Sequence, residues 1–499
     1  MSHRQPGAET TDPYPKRWLA LATLLLAGFM NLIDITVVNV ALPRLQVSLG
    51  ATSTDIEWVV AAYVLAFALG LLPFGRLGDV IGRKRMFLIG IALFTLFSAL
   101  CGLAPSIGML IGARVLQGLA GAMMMPQVLA ITQVMFPLHE RGFAFSLFGL
   151  SAGLASVAGP LAGGLLIGAD LFGLDWRPIF LVNIPVGLIA VIAGRALVPA
   201  LPPHPGLTVD FGGVAIAGLS ILLLVFPLIE GHSYGWPAWA FAMMAAGLVG
   251  AVVFYFYEKR RDAAGKSELL PISLMANGNF VIGTAMATTF FSGVAGFFLV
   301  LAVFLQTGFG LSPLQSGLTT VPFPLGVLIA SLVSGRLGSR WPRERIAAGA
   351  VLLIAGMVAL RFVVGGVGDS VDHWSFALPL FLSGLGMGAA VAPLFQTVLS
   401  TVPPRDTGSG SGALQSFQQI GSALGIAVTG QIFFSSLHNS LASGGAAHPA
   451  FVNSMSAALL YELVAFAVVI VLLFFFRPPA QRHESGHGAP RPQAIPAET

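Results

Sequence analysis

Asp34 lies inside the apolar run from Trp18 to Leu42. A charged side chain at the centre of a membrane helix costs about 2.5 to 3.5 kcal/mol on insertion scales, so such an acid faces a protein interior or a wet cavity. That placement suits a group that gains and loses a proton. The bland alternative is an acid that only caps or cross-links helices. Asn31 stands three residues earlier on the same helical face, placed to hydrogen-bond the carboxyl group or to line the same cavity. Arg114, in another apolar run, stays protonated at any working pH, so its chemistry is electrostatic: it steadies or answers a nearby carboxylate, or forms a structural ion pair. Sequence assigns it no partner. Glu462, within the last apolar run, is an additional acid, whereas Glu230 sits near a run end where ordinary solvation is expected.

Neutral polar groups form a second set. Gln117, Gln127, Gln396, Gln415, Gln418 and Gln419 lie in otherwise apolar stretches, suited to a substrate path beside Phe and Met or to hydrogen bonds between helices. A third set is charged. Gly75, Asp79, Arg83 and Lys84 belong to a short connection in which one carboxylate stands among several cations, readable as a conformational contact or as a topology signal alone. A fourth set is small. Ser151, Ala155, Gly159 and Gly163 recur every four residues, with Gly164 adjacent, and such a face permits close helix contact while Pro160 removes a backbone donor and bends the helix.

Other chemistries find no support. Gly265, Lys266 and Ser267 end like a phosphate loop, but Arg260 occupies the required first glycine and no strand precedes it, so no ATP engine is expected. The histidines have no metal-ligand spacing, no hydrolase elbow occurs, and no metal or cofactor is expected. Cys101, the single cysteine, reads as a small buried hydrophobe and allows no intrachain disulfide.

The elements that must position these residues are legible from composition. The 499 residues are 56% hydrophobic and only 9% charged, too few charges to wet the surface of a soluble fold this size. Apolar runs near 20 residues recur along the chain, each long enough to span a bilayer as a helix. They run from Trp18 to Leu42, Ile56 to Leu77, Met86 to Leu103, Ile107 to Val134, Gly142 to Ile167 and Trp176 to Val198. Two more follow, Phe211 to Ile229 and Trp236 to Tyr257. The last six are Phe280 to Thr307, Gln315 to Leu337, Ile346 to Val367, Phe376 to Val398, Gly408 to Phe434 and Ser454 to Phe476. The expected fold is therefore all-α and polytopic, with fourteen spans grouped six, two, six. The first run follows Lys16 and Arg17, contains Asn31 and Asp34, lacks a clear cleavage site, and is read as a retained span.

Charge placement agrees with that count. Lys16, Arg17, Arg76, Arg83, Lys84, Arg85, Arg141, Arg195, Lys259, Arg260, Arg261, Lys266, Arg336, Arg340, Arg343, Arg345, Arg405 and Arg477 fall on one side, against Arg44 and Arg177, with Arg361 near a span end. The positive-inside rule then places both termini in the cytoplasm. The net charge of +4 is spread over these short pieces and implies no nucleic-acid partner. Gly75-Arg76-Leu77-Gly78 before the third span recurs as Gly335-Arg336-Leu337-Gly338 before the eleventh, as parallel transporter repeats would, although Ser339 replaces the acid in the second copy. The expected division is a tail at 1–15, a six-helix bundle at 16–200, two added helices at 207–258, a charged connector at 259–277, a second bundle at 278–477 and a disordered tail at 478–499.

Four segments together resemble the major facilitator superfamily. Gly75 to Arg85 is similar to its loop between spans two and three. Arg114 with Gly118 and Gly121 is similar to its span-four motif, and Gly159-Pro160 with Gly163-Gly164 to the span-five motif associated with antiporters. Asp34 to Pro43 resembles the span-one motif of the fourteen-span drug/proton antiporter family, and Trp176-Arg177 with Asn183 and Pro185 fits the start of span six. Ala155 stands where that family often has a glycine. The resemblance implies two six-helix bundles plus two added helices in a cell (inner or plasma) membrane. It implies protons, the lipid bilayer and an amphipathic small molecule as partners, and coupling between Arg114 and protonation. The expected function is proton-coupled export of amphipathic or hydrophobic molecules by alternating access. A dedicated exporter of one metabolite, lipid, siderophore or antibiotic, a proton-coupled metabolite symporter and a membrane enzyme are the alternatives. Substrate identity, stoichiometry and the need for a periplasmic adaptor stay open.

Overall fold

The computed structural model describes residues 14–201, 207–231, 234–338, 340–368, 370–444 and 446–476. The two tails expected to be disordered fall almost wholly outside the described residues, as do Ser339 and the side chain of Pro160. Within it the chain forms fourteen long helices: α1 (Arg17–Leu49), α2 (Ser53–Ile81), α3 (Arg83–Gly102), α4 (Ile107–Met135), α5 (Leu138–Gly168), α6 (Asn183–Leu197) and α7 (Phe211–Glu230). The second seven are α8 (Ala238–Ala263), α9 (Gly278–Val303), α10 (Pro322–Leu337), α11 (Pro342–Gly365), α12 (His373–Leu399), α13 (Thr407–Ala442) and α14 (Ala447–Phe475). Thirteen spans are long and apolar enough to cross a membrane among the described residues; α5 completes the fourteen, its 31 residues reaching about 46 Å at 1.5 Å per residue.

Local chemistry explains the helix ends. Gly50, at φ 60°, closes α1, and Thr52 with Asp55 forms a capping box that opens α2. Gly82, at φ 98°, lets α2 pass into α3 in one residue, a conformation costly for any side chain with a Cβ. Two spans are broken. A short helix, Pro178–Leu181, precedes α6, and Pro313–Thr320 precedes α10, with Pro178 and Pro322 at first helical positions where the missing N–H costs nothing. Helix α8 continues to Ala263, several residues into the segment expected to be connector.

Without water to drive helices together in lipid, packing depends on close approach. Glycines supply it: a Cβ at Gly421 or Gly425 of α13 would strike the backbone of Thr288 or Ser292 in α9. The halves meet along two seams. On one, α2 lies against α13; on the other, α5 lies against α10 and α12. The added pair has a definite place. Helix α7 packs on both α2 and α13, where Ala68, Ile221, Val225, Leu228, Ala423 and Ala427 form a small apolar cluster, and α8 packs on the outside of α7. Glu230 departs from expectation: it is buried, 3% exposed, at the last residue of α7.

Candidate functional site

Near the middle of α1, Asp34 is fully enclosed. Its Oδ2 accepts from Arg114 Nη1 at 2.5 Å, and its Oδ1 accepts from Gln117 Nε2 at 2.9 Å and Asn183 Nδ2 at 2.9 Å. The pair is 1% and 0% exposed, and removing one partner of such a bridge costs roughly 3 to 5 kcal/mol because a charge is left buried alone. Arg114 has further support. Its Nη1 also donates to Gln117 Oε1 at 2.8 Å, its Nε donates to the Val59 carbonyl at 3.1 Å, and its guanidinium lies 4.1 Å from the Tyr63 ring centre. Asn183 also donates to Ser98 Oγ at 2.9 Å, and that hydroxyl donates to the Phe180 carbonyl at 2.9 Å.

The cluster draws on α1, α2, α3, α4 and α6, so a change of charge on one carboxyl group is felt by most of the first bundle. Neutralising Asp34 would leave the guanidinium held by a carbonyl, an amide and an aromatic face. It would also remove the attraction that draws α1 to α4.

Several sequence expectations change here. Asn31 does not bond Asp34: its Nδ2 donates to Tyr63 Oη at 2.6 Å, so it reaches the acid only through the ring stacked beside Arg114. Gln117 is a ligand of the carboxylate, not part of an open cavity wall. Gln127 is enclosed and donates to the Phe74 carbonyl at 2.8 Å, bracing α4 on α2 beside Gly78. Gln415 is buried with its Nε2 unpartnered among the described residues, Gln396 is half-buried with an unpartnered Oε1, and Gln418 and Gln419 are half-buried. These four keep spare hydrogen-bonding capacity. In the small-residue stripe, a Cβ on Gly159 would strike Thr36, and one on Gly163 would lie 3.0 Å from Val37 Cγ2, so these glycines hold α5 on α1; Gly164 has open space.

The charged connection is a contact between halves. Asp79 Oδ1 accepts from Arg83 Nε at 3.0 Å and from the Gly408 N–H at 3.0 Å, and Oδ2 accepts from the Ser409 N–H at 3.0 Å. An acid of α2 thus caps the positive end of α13. Around it Arg83 Nη2 donates to the Pro404 carbonyl at 2.8 Å, Arg76 pairs with Asp406 at 3.2 Å, and Gly75 meets Gly408 backbone to backbone. Lys84 stays within its own half, donating to the Arg195 carbonyl at 2.8 Å. Gln133 of α4 adds a donor to the Leu399 carbonyl at 2.6 Å. The seam is closed at the end of the molecule that carries the basic connections.

Ser98, Tyr63 and Asp406 were not among the expected site residues, and Asn183 and Arg76 entered only as parts of family-like motifs, with no role of their own. Asn183 had a signal, since an amide inside an apolar run follows the rule that selected the glutamines. Asp406, just before a span, carried the usual capping signal, but nothing local in the sequence marks Ser98 or Tyr63. Glu462 lies apart from all of these, in α14. No group of His, Cys, Asp and Glu is arranged to hold a metal ion among the described residues.

Comparison with known proteins gives one answer. The family model described as the Major Facilitator Superfamily matches residues 24–214 and 210–426. A probable actinorhodin transporter of Streptomyces coelicolor is 39% identical over 436 residues, 86% of this chain and 75% of that protein. The puromycin resistance protein of Streptomyces alboniger is 34% identical, covering 94% of this chain and 92% of its own length. The multidrug resistance protein Stp of Mycobacterium tuberculosis is 34% identical over 83% of this chain and 75% of its own length. Among solved structures, the human organic anion transporter MFSD10 superposes with a TM-score of 0.66 at 16% identity, covering 92% of this chain and 99% of that one, a likeness of fold.

Proposed function

Because this chain belongs to the major facilitator superfamily, we propose that it exports amphipathic small molecules in exchange for protons. It is a multi-pass integral membrane transporter and not an enzyme. In our reading it sits in the cell membrane with both termini in the cytoplasm and divides into bundles at 16–200 and 278–477 with an added pair at 207–258.

The observation that carries the proposal is the enclosed carboxyl group of Asp34 bonded to Arg114, Gln117 and Asn183. A proton arriving at Asp34 from the outer side cancels its pairing with Arg114, and the loosened first bundle rocks about the seams. Arg114 answers the protonation electrostatically. Asp79, Arg83 and Gly75 act at the cytoplasmic gate while Lys84 braces its own half, and Gly159 and Gly163 keep α5 close to α1 as the bundles move. Gln396, Gln415, Gln418 and Gln419 contact substrate. One charge crossing 100 mV supplies about 2.3 kcal/mol, enough for roughly a 50-fold substrate gradient.

The test is proteoliposome transport of puromycin and ethidium under an imposed pH gradient. Asp34→Asn is expected to abolish gradient-driven accumulation of both probes while the protein stays folded. Undiminished accumulation removes Asp34 from the proton path. The second reading, a dedicated exporter of one antibiotic, is favoured by the 39% identical relative named as an actinorhodin transporter. A panel in which one compound of many is moved would support it over broad efflux.

A further inference from the structure

Glu462 is a buried carboxyl group for which the mechanism above has no use. It lies near the middle of α14, entirely enclosed, where α14 meets α9 and α13. Thr429 of α13 donates its hydroxyl to Oε1 at 3.1 Å, and Oε2 has no hydrogen-bond partner among the described residues. Room for this arrangement is made by α9. A Cβ on Gly293 would lie 3.2 Å from Oε2 and 2.9 Å from the Phe466 ring, and a Cβ on Gly296 would strike the Thr429 hydroxyl. Two glycines one turn apart thus form a pocket for one carboxyl group and its single donor.

The charged and titratable groups around it are few. Helix α9 carries none, and the only one on α13 is His438, far toward the outer end beside Trp236. Arg361 of α11 is committed to the Ser456 carbonyl at 2.8 Å, and Arg343, Glu344 and Arg345 lie at the opposite end of that helix. On α14 itself the adjacent Tyr461 is neutral and its hydroxyl donates to Ser292 Oγ at 3.0 Å rather than to the carboxyl group. A carboxylate enclosed with one neutral donor and no cation bears nearly the whole cost of losing water, so this geometry suits the neutral acid. Asp34 has the opposite surroundings.

We propose that Glu462 is a second proton-binding site, in the C-terminal bundle, loaded while the cytoplasmic seam is closed and emptied when α13 moves. The proposal rests on the antiport reading and deepens it. Helix α13 joins the two events mechanically: its first turn is capped by Asp79, and Thr429 is the donor to Glu462. When the gate parts and α13 shifts, Thr429 leaves Oε1, water reaches the pocket, and the O–H bond of the acid breaks to give a carboxylate and a proton that passes to the cytoplasm. Return of α13 closes the seam and brings Thr429 back, and the carboxylate then takes a proton from the outer side. No other bond changes.

Infrared difference spectra of the purified full chain after a pH jump test the site without any substrate. The parent is expected to show a carboxylic-acid stretch that is absent in Glu462→Gln, retained in Asp34→Asn, and shifted in frequency in Thr429→Val, which removes the donor. Glutamine keeps an acceptor for Thr429, and an unchanged thermal midpoint shows that the variant folds. With puromycin and ethidium in proteoliposomes, Glu462→Gln is expected to move one fewer proton per substrate than the parent. A Glu462→Gln spectrum identical to the parent's, or an unchanged proton-to-substrate ratio, overturns the proposal. A parent that moves neither probe with protons contradicts the antiport reading instead, and the infrared band still decides whether Glu462 binds a proton.

Discussion

The two seams at the basic end of the molecule each carry a copy of the same four-residue repeat and are sealed by different physics. Where α2 meets α13, Asp79 caps a helix of the other half, Arg83 and Arg76 cross the boundary, and every one of these side chains is buried. Where α5 meets α10, no equivalent acid crosses among the described residues. A Cβ on Gly142 would strike the Gly338 backbone, and one on Gly335 would meet Phe143 and Ser146. The cation there, Arg345, bonds the Gly338 and Ser334 carbonyls of its own half, at 2.6 and 2.9 Å. One seam is held by charge and the other by fit, so each should yield to a different kind of substitution.

The largest effect is expected from Asp79→Asn, which keeps the shape but withdraws the anion from Arg83 and from the start of α13. Uncovering a buried partner costs about 3 to 5 kcal/mol, so the closed population should fall by a factor of roughly a hundred or more. Spin-label distances across the end of the molecule that carries this seam would register the loss, and an unchanged distribution would refute a charge-held seam. Gly142→Val probes the other side. Overpacking costs typically 1 to 3 kcal/mol, so opening by about five- to a hundredfold is expected there, whereas Gly142→Ala should lie between it and the parent. Equal distances in all three would mean that fit does not hold that seam. The smallest effect belongs to Arg336→Ala. Arg336, the repeat's counterpart of Arg76, is exposed, and its removal should change the closed population by no more than about 0.5 kcal/mol. An effect as large as that of Arg76→Ala would erase the asymmetry.

Helices were legible because lipid demands long apolar runs, and the grouping of six, two and six follows from counting them. The breaks before α6 and α10 were signalled only by prolines. The resting place of α7 was not legible, since its sequence is apolar all round and names no partner. At the site, the rule that charges in lipid depth face inward picked out Asp34, Arg114 and Glu462 individually. Their pairing was another matter: Arg114 lies 80 residues from Asp34, and only the fold brings them to 2.5 Å. The same distance problem hid the partner of Asp79, 330 residues away at Ser409. Asn31 misled because helical spacing puts it on the right face without saying that a tyrosine from α2 intervenes.

The position of α7 divides the flanks of the molecule. On one side Ile221, Val225 and Leu228 lie over Ala68 and Ala423, so the boundary between halves is roofed with protein. On the other, Leu161 and Leu165 of α5 and Leu325, Ile329 and Val333 of α10 stand exposed, as residues bathed in acyl chains do. Among the described residues, then, a lipophilic compound dissolved in the bilayer would meet a covered boundary between the halves on the flank of α7 and an uncovered one beside α5 and α10.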